Sequence, residues 1–274
     1  MPNIPVAEVF KPLFSGKYKD AILDSGRNGG KSKTVYILGG LFAALKPEQD
    51  IIIARASYGS IGDSCYNEVY EVLESIPQFE NVFEYRKSPL RILRKDGGTT
   101  FYFMGVGGSK ERTKGIKPLH KVSLVILEEA QELKSREHYD QTLASLRRRF
   151  GDDCLVITVF NPPAQELHWI NVWKKQKEMD TDYLCIHSSW RDIMPFLSDR
   201  DIKEILKIKK ENKVYYDYMY EGIPSGSEGA VYPMFYAKKY VITPQELTKV
   251  FANGLRPVIA IIGGDGAVNR DSTA

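Results

Sequence analysis

The sequence predicts an α/β fold: a mainly parallel central sheet flanked by helices, with an antiparallel insertion and a small helical subdomain toward the C-terminal side. Three observations carry this. Continuous apolar runs recur at residues 51–54 (IIIA), 122–127 (VSLVIL) and 155–160 (LVITVF), the pattern of strands covered on both faces. Stretches of helical composition lie between them. A short apolar strand at residues 20–24 (DAILD) runs straight into the Gly-rich stretch 26–30, after which residues 31–45 have helical composition.

Taken in order, the first strand, loop and helix form one unit, and residues 51–54 with a helix to about residue 76, capped by Asp63, form a second. Residues 82–85, 90–93 and 99–104 read as short strands, the last two joined across Lys95-Asp96-Gly97-Gly98 as a hairpin. A helix over 135–150 separates the two long apolar strands. From Ser198 the pattern is helical, with Ser198 and Asp201 in capping-box spacing and a Lys-rich exposed face to about Asn212. Residues 222–229 (GIPSGSEG) read as a loop or linker. Thr243-Pro244-Gln245-Glu246 starts a further helix, and residues 257–262 form a last apolar strand.

At 274 residues, with 43% hydrophobic and 27% charged, the chain can bury a sizeable core and falls outside disordered and fibrous compositions. No apolar run reaches bilayer length, and residues 1–11 lack the layout of a signal peptide, so no membrane association and a cytosolic site are expected. Cys65, Cys154 and Cys185 are too far apart for a zinc site or a disulfide framework and read as reduced packing residues. A net charge of +3 is too mild to indicate nucleic acid, although Arg147, Arg148 and Arg149 form a local cluster suited to phosphates.

Ser25-Gly26-Arg27-Asn28-Gly29-Gly30-Lys31-Ser32 matches a Walker A phosphate loop, except that Ser25 stands in the place of the first glycine. Glycines let successive backbone N–H groups turn inward around phosphates at the positive end of the following helix. Lys31 supplies a point charge to the β and γ phosphates, and the Ser32 hydroxyl completes a Mg²⁺ shell. A Gly-rich turn before Lys-Ser could be structural only, but the strand before it and the helix after it are the context this motif requires.

The strand at 122–127 ends in Glu128-Glu129, two carboxylates at the C-terminal tip of a parallel strand, where ligands of open α/β sheets bind. Glu128 stands where Walker B acids hold Mg²⁺, and Glu129 is placed to act as general base toward water. Asp is the usual first acid, so the longer Glu128 would reach the metal through a water. Alone, the pair would read as an acidic helix cap. Together with the phosphate loop it predicts a P-loop nucleotide hydrolase of the type that carries an additional catalytic glutamate, with ATP and Mg²⁺ as its cofactors.

A third strand ends in Thr158-Val159-Phe160-Asn161-Pro162-Pro163, and with it the set resembles the large terminase subunits of tailed bacteriophages. Shared marks are Arg27 inside the loop, the Glu-Glu pair, and a strand ending in Asn-Pro. Weaker marks follow in order: Arg55, His187-Ser188-Ser189-Trp190-Arg191-Asp192, Tyr220-Glu221-Gly222, and Gly229-Ala230-Val231-Tyr232-Pro233. Read alone, Asn161-Pro162 is an ordinary strand-ending turn. The resemblance makes Asn161 a sensor of the γ-phosphate. It also likens residues 261–266 to the first strand of an RNase H-like nuclease, with Asp265 as a metal ligand. Because the carboxylates and strands of a complete two-metal nuclease are absent, DNA cleavage by this chain is not expected.

The resemblance implies an ATPase motor that moves double-stranded DNA into a procapsid, organised as a P-loop core (1–190), a helical lid or linker (191–256) and the start of a nuclease domain (257–274). It further implies a homo-oligomeric ring on a portal protein, a small terminase subunit as partner, and a place in the host cell cytoplasm. An arginine completing hydrolysis is Arg27 in cis or Arg112 in trans, with Arg147 to Arg149 as second choice. DNA is held by its backbone, with Lys110, Lys114 and Lys117 as contacts, and Phe14 or Tyr18 is the aromatic for the adenine. The competing readings are a helicase or recombination ATPase, which should carry a second motor domain, and a nucleotide-dependent assembly switch, which should lack Glu129.

Overall fold

The computed structural model describes residues 4–45, 48–56, 65–106 and 120–225. The apolar runs become the centre of one sheet. In chain order its strands are β1 (Asp20–Ser25), β2 (Gln49–Arg55), β3 (Phe83–Lys87), β4 (Leu90–Arg94), β5 (Thr100–Gly105), β6 (Lys121–Glu128), β7 (Phe150–Phe160) and β8 (Tyr183–Ser188). They lie side by side as β3-β4-β5-β2-β6-β7-β1-β8. The pairings from β5 across to β8 are parallel, and β4 is antiparallel to both its neighbours. The expected insertion is therefore the edge of the same sheet, and only β4 runs against the rest. Its hairpin to β5 turns at Gly97, with φ 81°, and Asp96 Oδ1 accepts from Gly98 N at 3.1 Å.

Alternate residues of the buried strands feed two cores. Ala21, Leu23, Ile51, Ile53, Leu124 and Ile126 point to the face covered by α1 (Lys31–Leu45), α2 (Tyr66–Glu74) and a 3₁₀ segment, Glu8–Ser15. Ile22, Ile52, Ala54, Val125 and Leu127 point to the other, covered by α3 (Arg136–Arg147) and α4 (Trp169–Lys177). Strands buried on both faces need apolar residues at every position, which is why their sequences do not alternate.

Capping fixes the helices where the sequence places them. Ser135 Oγ accepts from His138 N at 3.2 Å to start α3, and Ser198 Oγ accepts from Asp201 N at 3.2 Å to start α5 (Asp199–Glu211). Asn212 ends α5 and caps α6 (Lys213–Glu221), its Oδ1 accepting from Tyr215 N at 3.0 Å. α5 and α6 share a small core of Trp190, Ile205 and Tyr216. The chain divides into two compact units, Met1–Glu228 and Gly229–Ala274. The described residues belong to the first; Asp63, the expected helix at 243 and the expected strand at 257–262 lie outside them.

Candidate active site

Because β2, β6, β7, β1 and β8 are adjacent and parallel, their C-terminal ends form one edge. Register sets Arg55 beside Glu128, Leu127 beside Thr158, Asp24 beside Phe160 and Ser25 beside Ser188. Residues separated by more than a hundred positions thus converge at the edge where parallel sheets present ligand-binding loops.

The phosphate loop leaves β1 at Ser25 and turns into α1 at Lys31, with Asn28 (φ 56°) and Gly30 (φ 77°) in the left-handed region. Gly30 O accepts from Thr34 N at 3.1 Å and Thr34 Oγ1 at 2.8 Å, which fixes the first helical turn. Lys31 is buried; its Nζ donates to Asn161 Oδ1 at 2.8 Å, to Ser25 O at 3.5 Å and to Ser25 Oγ. Burial pushes the Lys31 pKa down to about 8, against the pull of the Glu128 and Asp24 carboxylates.

Ser32 Oγ donates to Glu128 Oε2 at 3.4 Å, while Glu128 Oε1 is buried with no hydrogen-bond partner among the described residues. Burial raises the Glu128 pKa to about 7, which the nearby Lys31 partly offsets. A buried carboxylate with an orphaned oxygen beside a hydroxyl fits a cation. Among the described residues no group of three or more His, Cys, Asp or Glu could hold a metal by themselves. Mg²⁺ is ordinarily bound by one or two protein oxygens together with phosphates and water, and Ser32 Oγ and Glu128 are the protein oxygens that would hold it here.

Glu129 has φ 49°, and its carboxylate is ion-paired with Arg55, which also lies 3.7 Å from Glu132 Oε1. At 34% side-chain exposure, against 14% for Arg55, Glu129 is the accessible member of the pair. These side chains line a small polar cavity of about 110 Å³ with Lys31, Ser32, Tyr36, Glu68 and Asn161. On the α1 side of the loop is a larger, mostly apolar cleft of about 420 Å³, lined by Ile4, Val6, Gly30, Thr34, Ile193 and Phe196. Neither Phe14 nor Tyr18, the expected adenine partners, lines it; Phe14 packs against the core instead.

The loop is also clasped from outside. Arg27 N donates to Met219 O of α6 at 2.6 Å, and Ser188 Oγ donates to Gly29 O at 2.9 Å. Arg191 pairs with Glu221 Oε2 at 2.6 Å and donates to Tyr216 OH at 2.8 Å, while Trp190 Nε1 donates to Tyr216 OH at 2.9 Å. The buried Asp24 carboxylate is ion-paired with Lys174 at 2.9 Å and lies 2.7 Å from His187 Nδ1, a contact that raises the His187 pKa. The weak sequence marks at 187–192 and 220–222 are thus the contacts that hold α6 to the phosphate loop.

Every candidate in the loop, both glutamates and Asn161 therefore come together. The Arg27 side chain is exposed beside them, on the rim of a groove of about 510 Å³ that also holds Gln131, Gln165, His168, Tyr215 and Tyr218. Arg147 to Arg149 precede β7 and so lie at the opposite edge of the sheet, away from the loop of the same chain. Arg112, Lys110, Lys114, Lys117 and Asp265 lie outside the described residues. Sequence reading missed Arg55 as the partner of Glu129, and Tyr36 and Glu68 as walls of the polar cavity. The signal for Arg55 was available, since it ends an apolar strand as Glu128 does.

A family model described as phage terminase large subunit matches residues 17–223. Among solved structures, the large terminase of a thermophilic bacteriophage is similar over 88% of this chain and 60% of its own, with a TM-score of 0.65 and 18% identity. The bacteriophage HK97 large terminase is similar over 81% of this chain and 50% of its own, with a TM-score of 0.60 and 13% identity. The ATPase domain of the Thermus phage P74-26 large terminase is similar over 80% of this chain and 94% of its own, with a TM-score of 0.57 and 14% identity. At these identities the likeness speaks for a shared fold alone, and the chain spans 50–60% of the length of the first two. No curated protein matches the chain.

Proposed function

The chain belongs to the phage terminase large subunit family, and on that premise we propose that it is the ATP-hydrolysing motor domain of a DNA-packaging terminase. One observation carries the reading: Lys31 of the phosphate loop is hydrogen-bonded to Asn161 on the next strand end, with the Glu128-Glu129 pair on the strand beyond. ATP lies with its phosphates over residues 26–31 and its base in the apolar cleft beside Gly30. Lys31 neutralises charge on the β and γ oxygens. Mg²⁺, held by Ser32 and Glu128, would compensate further phosphate charge.

Glu129 is the general base. It takes a proton from water as the water oxygen bonds to the γ-phosphorus in line and the bond from that phosphorus to the β–γ bridging oxygen breaks, releasing ADP. This carboxylate is ion-paired with Arg55, so it must exchange that ion pair for a water before it can act. Asn161 shares Lys31 with the nucleotide, and an arriving γ-phosphate competes for that ammonium; this makes Asn161 the sensor.

Arg27 in cis, or Arg112 from a neighbouring subunit, stabilises the charge that develops on the transferring group. Double-stranded DNA is held through its backbone, in a ring of copies on the portal with the small terminase subunit, in the host cytoplasm. Asp265 is assigned to a nuclease metal site in a full-length parent. ATP turnover measured against protein concentration, with and without linear double-stranded DNA, tests the reading. Turnover per subunit that rises with concentration or on DNA, and is lost in Lys31→Ala, is expected. Glu129→Gln should bind ATP without turning it over. Turnover surviving Lys31→Ala overturns the phosphate-loop assignment, and unchanged turnover in Glu129→Gln removes Glu129 as base.

A further inference from the structure

Ser25 departs from the usual phosphate loop, where a glycine stands, and its side chain is engaged. It ends β1 and is fully buried. Its hydroxyl donates to Gly26 O at 2.6 Å and accepts from Lys31 Nζ. The same ammonium reaches Ser25 O at 3.5 Å and Asn161 Oδ1 at 2.8 Å. An ammonium has three donors; the Ser25 hydroxyl and Asn161 Oδ1 take two of them, and Ser25 O stands at the outer limit of reach for the third. The loop is shaped around this arrangement: a Cβ on Gly29 would overlap both Cβ and Oγ of Ser25, and Ser188 Oγ holds Gly29 O in place at 2.9 Å.

We propose that Ser25 is a positioning residue that competes with nucleotide phosphates for Lys31, and that its hydroxyl thereby limits how tightly the loop holds nucleotide. This rests on the nucleotide-binding reading above. Turning Lys31 toward phosphate oxygens draws it away from the Ser25 hydroxyl or from Asn161, and a ligand pays for whatever it displaces. The bond surrendered is a charged one in a buried site, the stronger class of hydrogen bond. The hydroxyl itself is not stranded by the exchange, because its proton stays on Gly26 O. A loop with glycine or alanine at this position offers Lys31 one acceptor fewer in the empty state and leaves it readier for phosphate.

The test is equilibrium binding of ADP, inorganic pyrophosphate and adenosine to the full chain as wild type, Ser25→Ala and Ser25→Gly, with Lys31→Ala as control. Removing one charged hydrogen bond from the empty state should tighten ADP and pyrophosphate about tenfold, with ADP release slowed to match. Adenosine, which has no phosphate to contest Lys31, should bind wild type and both Ser25 variants alike. A folded Ser25→Ala that binds ADP equally or more weakly than wild type overturns the inference, as does tightening that extends equally to adenosine. Should the alanine variant fail to fold, Ser25→Gly, the residue usual at this position, makes the same comparison. Failure of the wild type to bind ADP would instead overturn the nucleotide reading, and this inference with it.

Discussion

Substituting alanine for Gly26 places a Cβ 2.5 Å from the carbonyl carbon of Tyr220 and 2.6 Å from the oxygens of Met219 and Tyr220. Ordinary contact begins at 3.4 Å, and the obstructing atoms are the backbone of α6, which cannot rotate aside as a side-chain end would. Overpacking typically costs about 1–3 kcal/mol, and a rigid obstacle puts this site at the upper end. Alanine returns about 0.4–1 kcal/mol by restricting the unfolded chain, which leaves a net loss of about 2 kcal/mol. For a domain of this size each kcal/mol moves Tm by about 2–4 °C, so a fall of about 4–8 °C is expected in thermal unfolding without nucleotide. Gly222→Ala acts on the same contact from the other side: its Cβ would meet Gly26 N at 2.7 Å and Ser25 C at 2.8 Å, and its φ of 67° adds strain. The two substitutions together should cost less than their sum, because each separates the same surfaces. A Gly26→Ala protein with unchanged Tm and wild-type ADP affinity would show that the loop does not rest on α6.

Further outcomes follow from the same geometry. The Glu128 pKa lies at about 7, above its ordinary 4.5, so the stability it contributes is present below the unfolded pKa and is lost as pH rises through 7. The Tm of nucleotide-free Glu128→Gln should therefore gain on that of wild type between pH 5 and pH 8, and a constant gap would refute the burial argument. Phe196→Ala should weaken ATP several-fold while leaving pyrophosphate affinity unchanged, since Phe196 lines the apolar cleft and not the polar cavity; equal losses for both ligands would place the base elsewhere. Ser198→Ala removes the acceptor for Asp201 N and should cost about 1 kcal/mol in denaturant unfolding, with ADP affinity preserved.

The phosphate loop and the glutamate pair were legible in the sequence because their signals are local. A strand, a Gly-rich turn and a helix start within a dozen residues can be recognised without knowing what surrounds them, and polar residues ending an apolar parallel strand can only lie at its carboxyl edge. Asn161-Pro162 was less distinctive, since an isolated strand-ending turn has the same form, and it gained meaning only beside the other two. β8 went unread as a strand although Tyr183-Leu184-Cys185-Ile186 is apolar: it is a short edge strand, only partly covered along its first three residues.

What tertiary structure alone decided was which distant residues meet. The order β2-β6-β7-β1-β8 brings Arg55 to Glu129 and Ser188 to Gly29, contacts across long separations that no local pattern records. It also carries Arg147 to Arg149 to the far edge, and it builds the apolar cleft from Ile4 and Phe196 while Phe14, close to the loop in sequence, turns into the core. Local chemistry names the groups that can act; only the packing of strands determines which of them share a site.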